Sequence, residues 1–144
     1  MKELNHISRK VNSLSNKIKR RIDKVASEYG VTAGQAKIIG FIYFSSMKGK
    51  DIYQKDIEEE FDIRRSSVTS VLNIMEKNDL IKRVSVKEDG RLKKIVLTER
   101  AKELYSSIHF EIEQIENIVT KELSTEEIVI FGKMLERLIK KFAD

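Results

Sequence analysis

With 144 residues, 40% of them hydrophobic and 35% charged, the chain has apolar content for one core and is not expected to be disordered. It has no cysteine, which excludes disulfides and thiolate metal sites, and no proline, so no residue forces a kink in a helix. The opening MKELNHISRK is too polar for a secretory signal. The longest nearly apolar stretch, Ile38 to Phe44, falls far short of the roughly 20 residues of a bilayer span, so a cytoplasmic protein with no membrane partner is expected. Net charge is +5, divided as +5 over residues 1–31, −2 over 32–63, +5 over 64–97 and −3 over 98–144. A positive block between two acidic ones points weakly to nucleic acid.

Leu4, Ile7, Val11, Leu14, Ile18, Ile22, Val25 and Tyr29 recur at steps of three and four, which predicts one long helix over 4–29 with a single apolar stripe. Gly30 supplies a left-handed stop, and Thr32 with Gln35 forms a capping box for a second helix running to about Ser46. That helix is apolar nearly all round through Ile38, Ile39, Phe41, Ile42, Tyr43 and Phe44, and is expected at the centre of the core. After the loop 47–50, Ile57 and Phe61 hold a short helix near Gln54–Phe61. Asp62 to Arg65 then separate it from a helix running from about Ser66 to Lys77, a helix-turn-helix arrangement.

IKRVSV and LKKIVL, rich in β-branched residues, flank VKEDGR, where Asp89-Gly90 signals a hairpin. Thr98 caps a helix of some 24 residues with Ala101, Leu104, Tyr105, Ile108, Ile112, Ile115, Val119 and Leu123 on one face. Ser124 with Glu127 is a second capping box, opening a last helix striped by Ile128, Phe131, Leu135, Leu138 and Phe142. The expected fold is mainly α with a small β-hairpin wing, a winged helix-turn-helix in one domain spanning 1–144. Residues 1–31 and 99–144 are expected to dimerise, and 32–98 to form a DNA-binding lobe whose wing is 81–97.

On the helix from Ser66, Val68, Val71, Leu72 and Met75 fall within about 100° of arc, the width of a buried face. The opposite face carries Ser66, Ser70, Asn73 and Lys77, flanked by Ser67 and Thr69. Short hydroxyl and amide side chains let a helix approach base edges closely, and Arg64 and Arg65 at its start can meet phosphates. Lys82, Arg83, Lys87, Arg91, Lys93 and Lys94 crowd the hairpin against Glu88 and Asp89. A basic ribbon with a Gly90 tip and Arg91 beside it suits a wing that pushes a guanidinium into the minor groove. Double-stranded DNA is the expected partner. Candidate contacts are Arg64, Arg65, Ser66, Ser67, Thr69, Ser70, Asn73 and Lys77 on the helix, with Lys87, Asp89, Gly90, Arg91 and Lys93 on the wing.

The first helix, about 26 residues, would be roughly 39 Å long. It would overhang the lobe with its stripe uncovered, so a two-fold homodimer reading an inverted repeat is expected. No phosphate loop, nucleophile elbow, metal-binding histidine pair or acid/base pair is present, so no enzyme, no cofactor and no metal are expected. His6 and His109 are too few and too far apart for a metal site, and Glu111, Glu113 and Glu116 read as a solvated face. A helical protein-interaction module and a non-specific architectural DNA-binding protein are the competing readings.

From Thr32 to Leu104 the chain resembles the MarR family of winged-helix regulators. The resemblance is carried by Ile57, Phe61, RRSSVTSVLNIMEKNDLIKR (64–83) and EDGR-x5-LTE (88–99), and the long flanking helices fit the same family. It implies an obligate dimer through the first and last helices, a recognition helix in the major groove and Arg91 in the minor groove, oriented by an ion pair with Asp89. It also implies a ligand-responsive repressor whose small anionic or aromatic effector, of unknown identity, sits between the dimer helices and the lobe. Tyr43, Phe44, Tyr105 and Phe110 could line such a pocket but are read as core or interface aromatics. Three departures stand out. Arg64 replaces the usual Ser or Thr cap, so either Asp62 substitutes or the helix starts a residue later. Asp79, next to Asn78, replaces a glycine and has to take a left-handed turn. Ala101 replaces another glycine within a helix, which favours stability.

Overall fold

The computed structural model describes residues 6–86 and 88–143, Asp89 by its backbone alone. Helix α1 (Ile7–Glu28) is followed by α2 (Ala33–Met47), α3 (Gln54–Phe61) and α4 (Arg65–Lys77). The strands β1 (Ile81–Val86) and β2 (Asp89–Leu97) lead into α5 (Glu99–Glu122) and α6 (Thr125–Lys141). Leu4, counted in the expected first stripe, lies outside the described residues.

The punctuation falls where local chemistry demands it. Gly30 takes φ +76° after α1, a conformation that a side chain would strain. Thr32 Oγ1 accepts from the Gln35 N–H at 3.1 Å while Gln35 Oε1 accepts from the Thr32 N–H at 3.1 Å, closing the capping box of α2. The Tyr53 N–H donates to Asp56 Oδ2 at 2.8 Å at the start of α3. Asp79 adopts φ +58° at the end of α4, as the missing glycine requires. Thr98 uses its hydroxyl twice, donating to the Asp79 carbonyl at 2.8 Å and accepting from the Ala101 N–H at 3.1 Å. It thereby ties the root of the hairpin to the start of α5.

The core gathers Ile39 of α2, Ile52, Ile57 of α3, Leu72 and Met75 of α4, Leu80, Ile81 and Ile108 of α5, all fully buried. Burying each such side chain is worth about 1.5–3 kcal/mol. As expected, α2 lies at the centre, with Ile38, Ile39 and Ile42 buried, although Phe44 at its far end is exposed. The hairpin is antiparallel from Ile81↔Leu97 to Ser85↔Lys93. On its other edge β2 meets Ile52, whose carbonyl accepts from the Ile95 N–H at 2.7 Å. Among the described residues, no helix is long and apolar enough to cross a membrane.

Two expectations need correction. The turn of the hairpin does not centre on Asp89-Gly90: β1 ends at Val86 and β2 resumes at Asp89, so both residues belong to the second strand. Gly90 has no positive φ, and a Cβ there would meet open space. Helix α4 begins at Arg65, one residue earlier than expected, and Asp62 is not its cap: with φ +50°, Asp62 closes α3 instead.

The ends of the molecule are under-packed. In α1 only Ala26 is buried, and Ile7, Val11 and Leu14 are exposed. No residue of α6 is buried, and Ile130, Ile139 and Phe142 are 57%, 69% and 84% exposed.

Candidate nucleic-acid interface

Helix α4 buries Val68, Leu72 and Met75 and leaves Ser66, Ser67, Ser70, Asn73 and Lys77 exposed, with Thr69 half-buried between the faces. The helix start carries no side-chain cap: Arg64 is extended, at φ −67° and ψ 147°, and its side chain makes no capping bond. The first-turn N–H groups of a helix have no internal partner and sit at the positive end of its dipole. At α4 they lie beside the exposed Arg64 and Arg65.

The small polar side chains of this face are already partly engaged. Thr69 Oγ1 donates to the Arg65 carbonyl at 2.9 Å and accepts from Gln54 Nε2 at 2.7 Å, which ties the first turn of α3 to α4. Ser70 Oγ donates to the Ser66 carbonyl at 3.1 Å, so its oxygen is left to accept. Asn73 Oδ1 accepts from Arg83 Nη1 at 2.9 Å, and Arg83 also lies 3.6 Å from Glu76 Oε1.

On the wing, regular pairing breaks beyond Ser85: Ser85 faces Lys93, but the next residue, Val86, faces Asp89. Between those two pairs β2 carries three residues, Gly90, Arg91 and Leu92, and β1 none, a bulge that bends the strand and re-aims its side chains. Arg91 is exposed on this bulge, and Lys93 is exposed where the ladder resumes. Lys94 is turned the other way, 4.0 Å from Asp51. Lys87 and the side chain of Asp89 lie outside the described residues, and with them the ion pair expected between Asp89 and Arg91.

Tyr53, Gln54, Arg65, Arg83, Arg91 and Lys93 line one cleft where the starts of α3 and α4 face the wing. Lys55 adds a further cation and, among the described residues, Glu58 the single carboxylate of the lining. The fold thus brings Arg65 of α4 together with Arg91 and Lys93 of β2. Lys77 is not among them: it lines a different cleft, with Gly30, Asn78 and Arg100. Gln54 and Tyr53 were not foreseen, and Arg83 was counted only as one hairpin cation. Arg83 and Gln54 act through partners 10 and 15 residues away, Asn73 and Thr69, which no local period encodes.

Comparison with known proteins agrees with this architecture. The model of the MarR family matches residues 29–92. The HTH-type transcriptional regulator YxaD of Bacillus subtilis (strain 168) is 32% identical over 91 residues, 62% of this chain and 63% of that protein, so the match spans less than two thirds of the relative's length. The crystal structure of the transcription regulator MarR from Oenococcus oeni PSU-1 is similar with a TM-score of 0.80 at 34% identity, covering 93% of this chain and 98% of that one. The crystal structure of the S. aureus MepR–DNA complex shares the fold, with a TM-score of 0.85 at 22% identity over 99% of this chain and 100% of that one. A winged helix-turn-helix with long flanking helices, 34% identical to a MarR regulator along nearly its whole length, belongs to the MarR family of transcription regulators.

Proposed function

We propose that the protein binds double-stranded DNA as a homodimer on an inverted-repeat operator, with α4 in the major groove and the β1–β2 wing along the adjacent minor groove. The observation that carries this reading is that Arg83, which lines the cleft where Arg65, Arg91 and Lys93 gather, bonds Asn73 on the exposed polar face of α4. Phosphates would be met by the uncapped N–H groups of α4 with Arg64 and Arg65, while Ser66, Ser67, Ser70 and Asn73 approach base edges. The bulge carrying Arg91 provides the reach for a minor-groove contact.

The dimer is supported by an open apolar groove lined by Leu14 of α1, Ile118 of α5, Leu123 just beyond it, and Ile130, Phe131 and Met134 of α6. A second copy of the same three helices is the occupant that a two-fold axis supplies. Charge supports it as well, since residues 1–31 carry +5 and residues 98–144 carry −3. Regulation is read as repression by occupancy of the operator, released by a small-molecule effector of unknown identity. Tyr43, Phe44 and Tyr105 pack ring to ring at 5.1–5.9 Å, which supports a core role for the buried Tyr105, while Tyr43 is half-buried and Phe44 exposed.

The test is selection of bound sites from a random duplex pool, followed by affinity measurement across salt concentrations. A palindromic motif and a steep salt dependence are expected. Arg91→Ala is expected to weaken all selected sites alike and to lower the salt slope by about 1. A motif-free pool would remove the sequence-specific reading, and an unchanged slope for Arg91→Ala would remove the wing contact.

A further inference from the structure

We propose that Arg83 is a positioning residue that fixes the Asn73 amide as a hydrogen-bond donor toward the duplex. The operator base pair met by Asn73 then presents an acceptor edge, guanine N7/O6 or thymine O4. This rests on the DNA-binding reading above.

Arg83 belongs to β1, yet its Nη1 donates to Asn73 Oδ1 at 2.9 Å, and the same nitrogen lies 3.6 Å from Glu76 Oε1. The Arg83 side chain is only 21% exposed, while Asn73 and Glu76 lie on the exposed side of α4. Asn73 and Glu76 are three residues apart on α4, and Arg83 bridges them. A guanidinium has five N–H donors and no acceptor, whereas a carboxamide has an oxygen on one arm and an NH2 on the other. Only the oxygen can face Arg83. A flipped amide would set donors against donors and forfeit a charge-assisted bond. The NH2 arm is therefore held away from Arg83, and among the described residues it has no hydrogen-bond partner.

Asn73 follows Ser66 and Ser70 at steps of four and three, on the exposed face of α4. An unconstrained asparagine commonly reads adenine with both arms, accepting from N6–H and donating to N7. Here the oxygen is committed to a cation, which leaves the donors to read. Guanine N7/O6 and thymine O4 offer acceptors in the major groove, whereas adenine sets its N6–H2 donor beside N7, where the NH2 arm would meet donor against donor. Cytosine offers only its N4–H donor and is opposed most strongly. The wing root thus sets what the helix recognises.

The experiment is site selection with the full-length chain, with thermal melts alongside, for wild type, Arg83→Gln, Asn73→Ala, the double variant and Asn73→Asp. Wild type is expected to prefer guanine or thymine over adenine by about tenfold at one position in each half-site, with cytosine last. In Arg83→Gln, adenine gains at that position while the rest of the motif stands. Asn73→Ala flattens the same position, and adding Arg83→Gln to it changes nothing further, because Arg83 acts through Asn73. Asn73→Asp keeps its bond to Arg83 but turns an oxygen outward, so the position switches to cytosine. This variant decides the matter even if Arg83→Gln melts early. A wild-type motif left unchanged by Arg83→Gln or Asn73→Asp overturns the assignment. So does a uniform loss across all sequences with a reduced salt slope, which would make Arg83 a phosphate contact. A wild-type chain that selects no motif at all overturns the sequence-specific DNA-binding reading instead, and this assignment with it.

Discussion

Gly40 occupies the face of α2 that meets α5, where a Cβ would come within 2.8 Å of the Tyr105 hydroxyl and 3.0 Å of its ring. The ring has little room to retreat. It is buried, packs against Tyr43 at 5.1 Å and His109 at 5.5 Å, and its Oη lies 3.3 Å from His109 Nδ1. Burial, then the negative Glu113 and the neighbouring Tyr43, push the Tyr105 pKa up, so the phenol keeps its proton. Gly40→Ala would gain about 1 kcal/mol of helix propensity and lose about 1–3 kcal/mol to overpacking. A net loss of up to about 2 kcal/mol is expected, read as a lower urea midpoint at unchanged slope. A raised midpoint would mean that the ring yields freely.

Glu127 supplies the residue-scale pH dependence. The Ser124 N–H, donating to Oε1 at 2.9 Å, and then the Ser124 side chain hold its pKa below the usual glutamate value. A depressed folded pKa means that the unfolded chain binds more protons, so this contribution is complete above the unfolded value and is lost as pH falls through the folded one. Glu127→Gln keeps an acceptor but cannot titrate. Its stability is expected to fall less steeply with acid below about pH 4.3, as followed by circular dichroism. Identical acid limbs would show that the cap carries no such dependence.

At the scale of elements, the start of α4 is the informative place. Asp62 closes α3 in a left-handed conformation, the Ile63 N–H donates to the Glu58 carbonyl at 3.1 Å, and Arg64 extends into a helix that no side chain caps. A serine there would add a cap worth about 1 kcal/mol, but it would also occupy an N–H group that the proposed phosphate contact uses. Arg64→Ser is therefore expected to melt higher than Arg64→Ala yet bind duplex no better. Tighter binding by the serine variant would show that the first-turn amides do not meet phosphate. The wing makes the same point. Asp89-Gly90 correctly announced a hairpin, but the turn precedes it and the residues around Arg91 form a bulge, because pairing with β1 and the Ile52 bridge decide where the ladder breaks.

At the scale of the whole molecule, apolar surface stays uncovered in the single copy. The apolar stripes of α1 and α6 have regular helical spacing, yet Ile7, Leu14, Ile130 and Phe131 are all exposed. Contiguous apolar surface of this kind marks an interaction site. Phe131→Asp is expected to weaken self-association at least about 30-fold, the equivalent of a 2 kcal/mol hot spot. Sedimentation of wild type and variant at micromolar concentration would measure it. A monomeric wild type, or a variant that associates equally well, would leave the groove without its proposed occupant.

Sequence alone determined whatever is encoded within about four residues along the chain. That covers the capping boxes at Thr32 and Ser124, the stops at Gly30 and Asp79, the amphipathic faces, and the division of α4 into a buried Val68–Leu72–Met75 side and a polar side. These are legible because helix periodicity and capping are local physics. Only the tertiary structure decided that Arg83 grips Asn73, that Gln54 holds Thr69, and that Arg65, Arg91 and Lys93 share a cleft from which Lys77 is absent. Those pairings join segments that meet only once α3, α4 and the hairpin have packed on one core, and a side chain's partner across such a junction leaves no repeat to read.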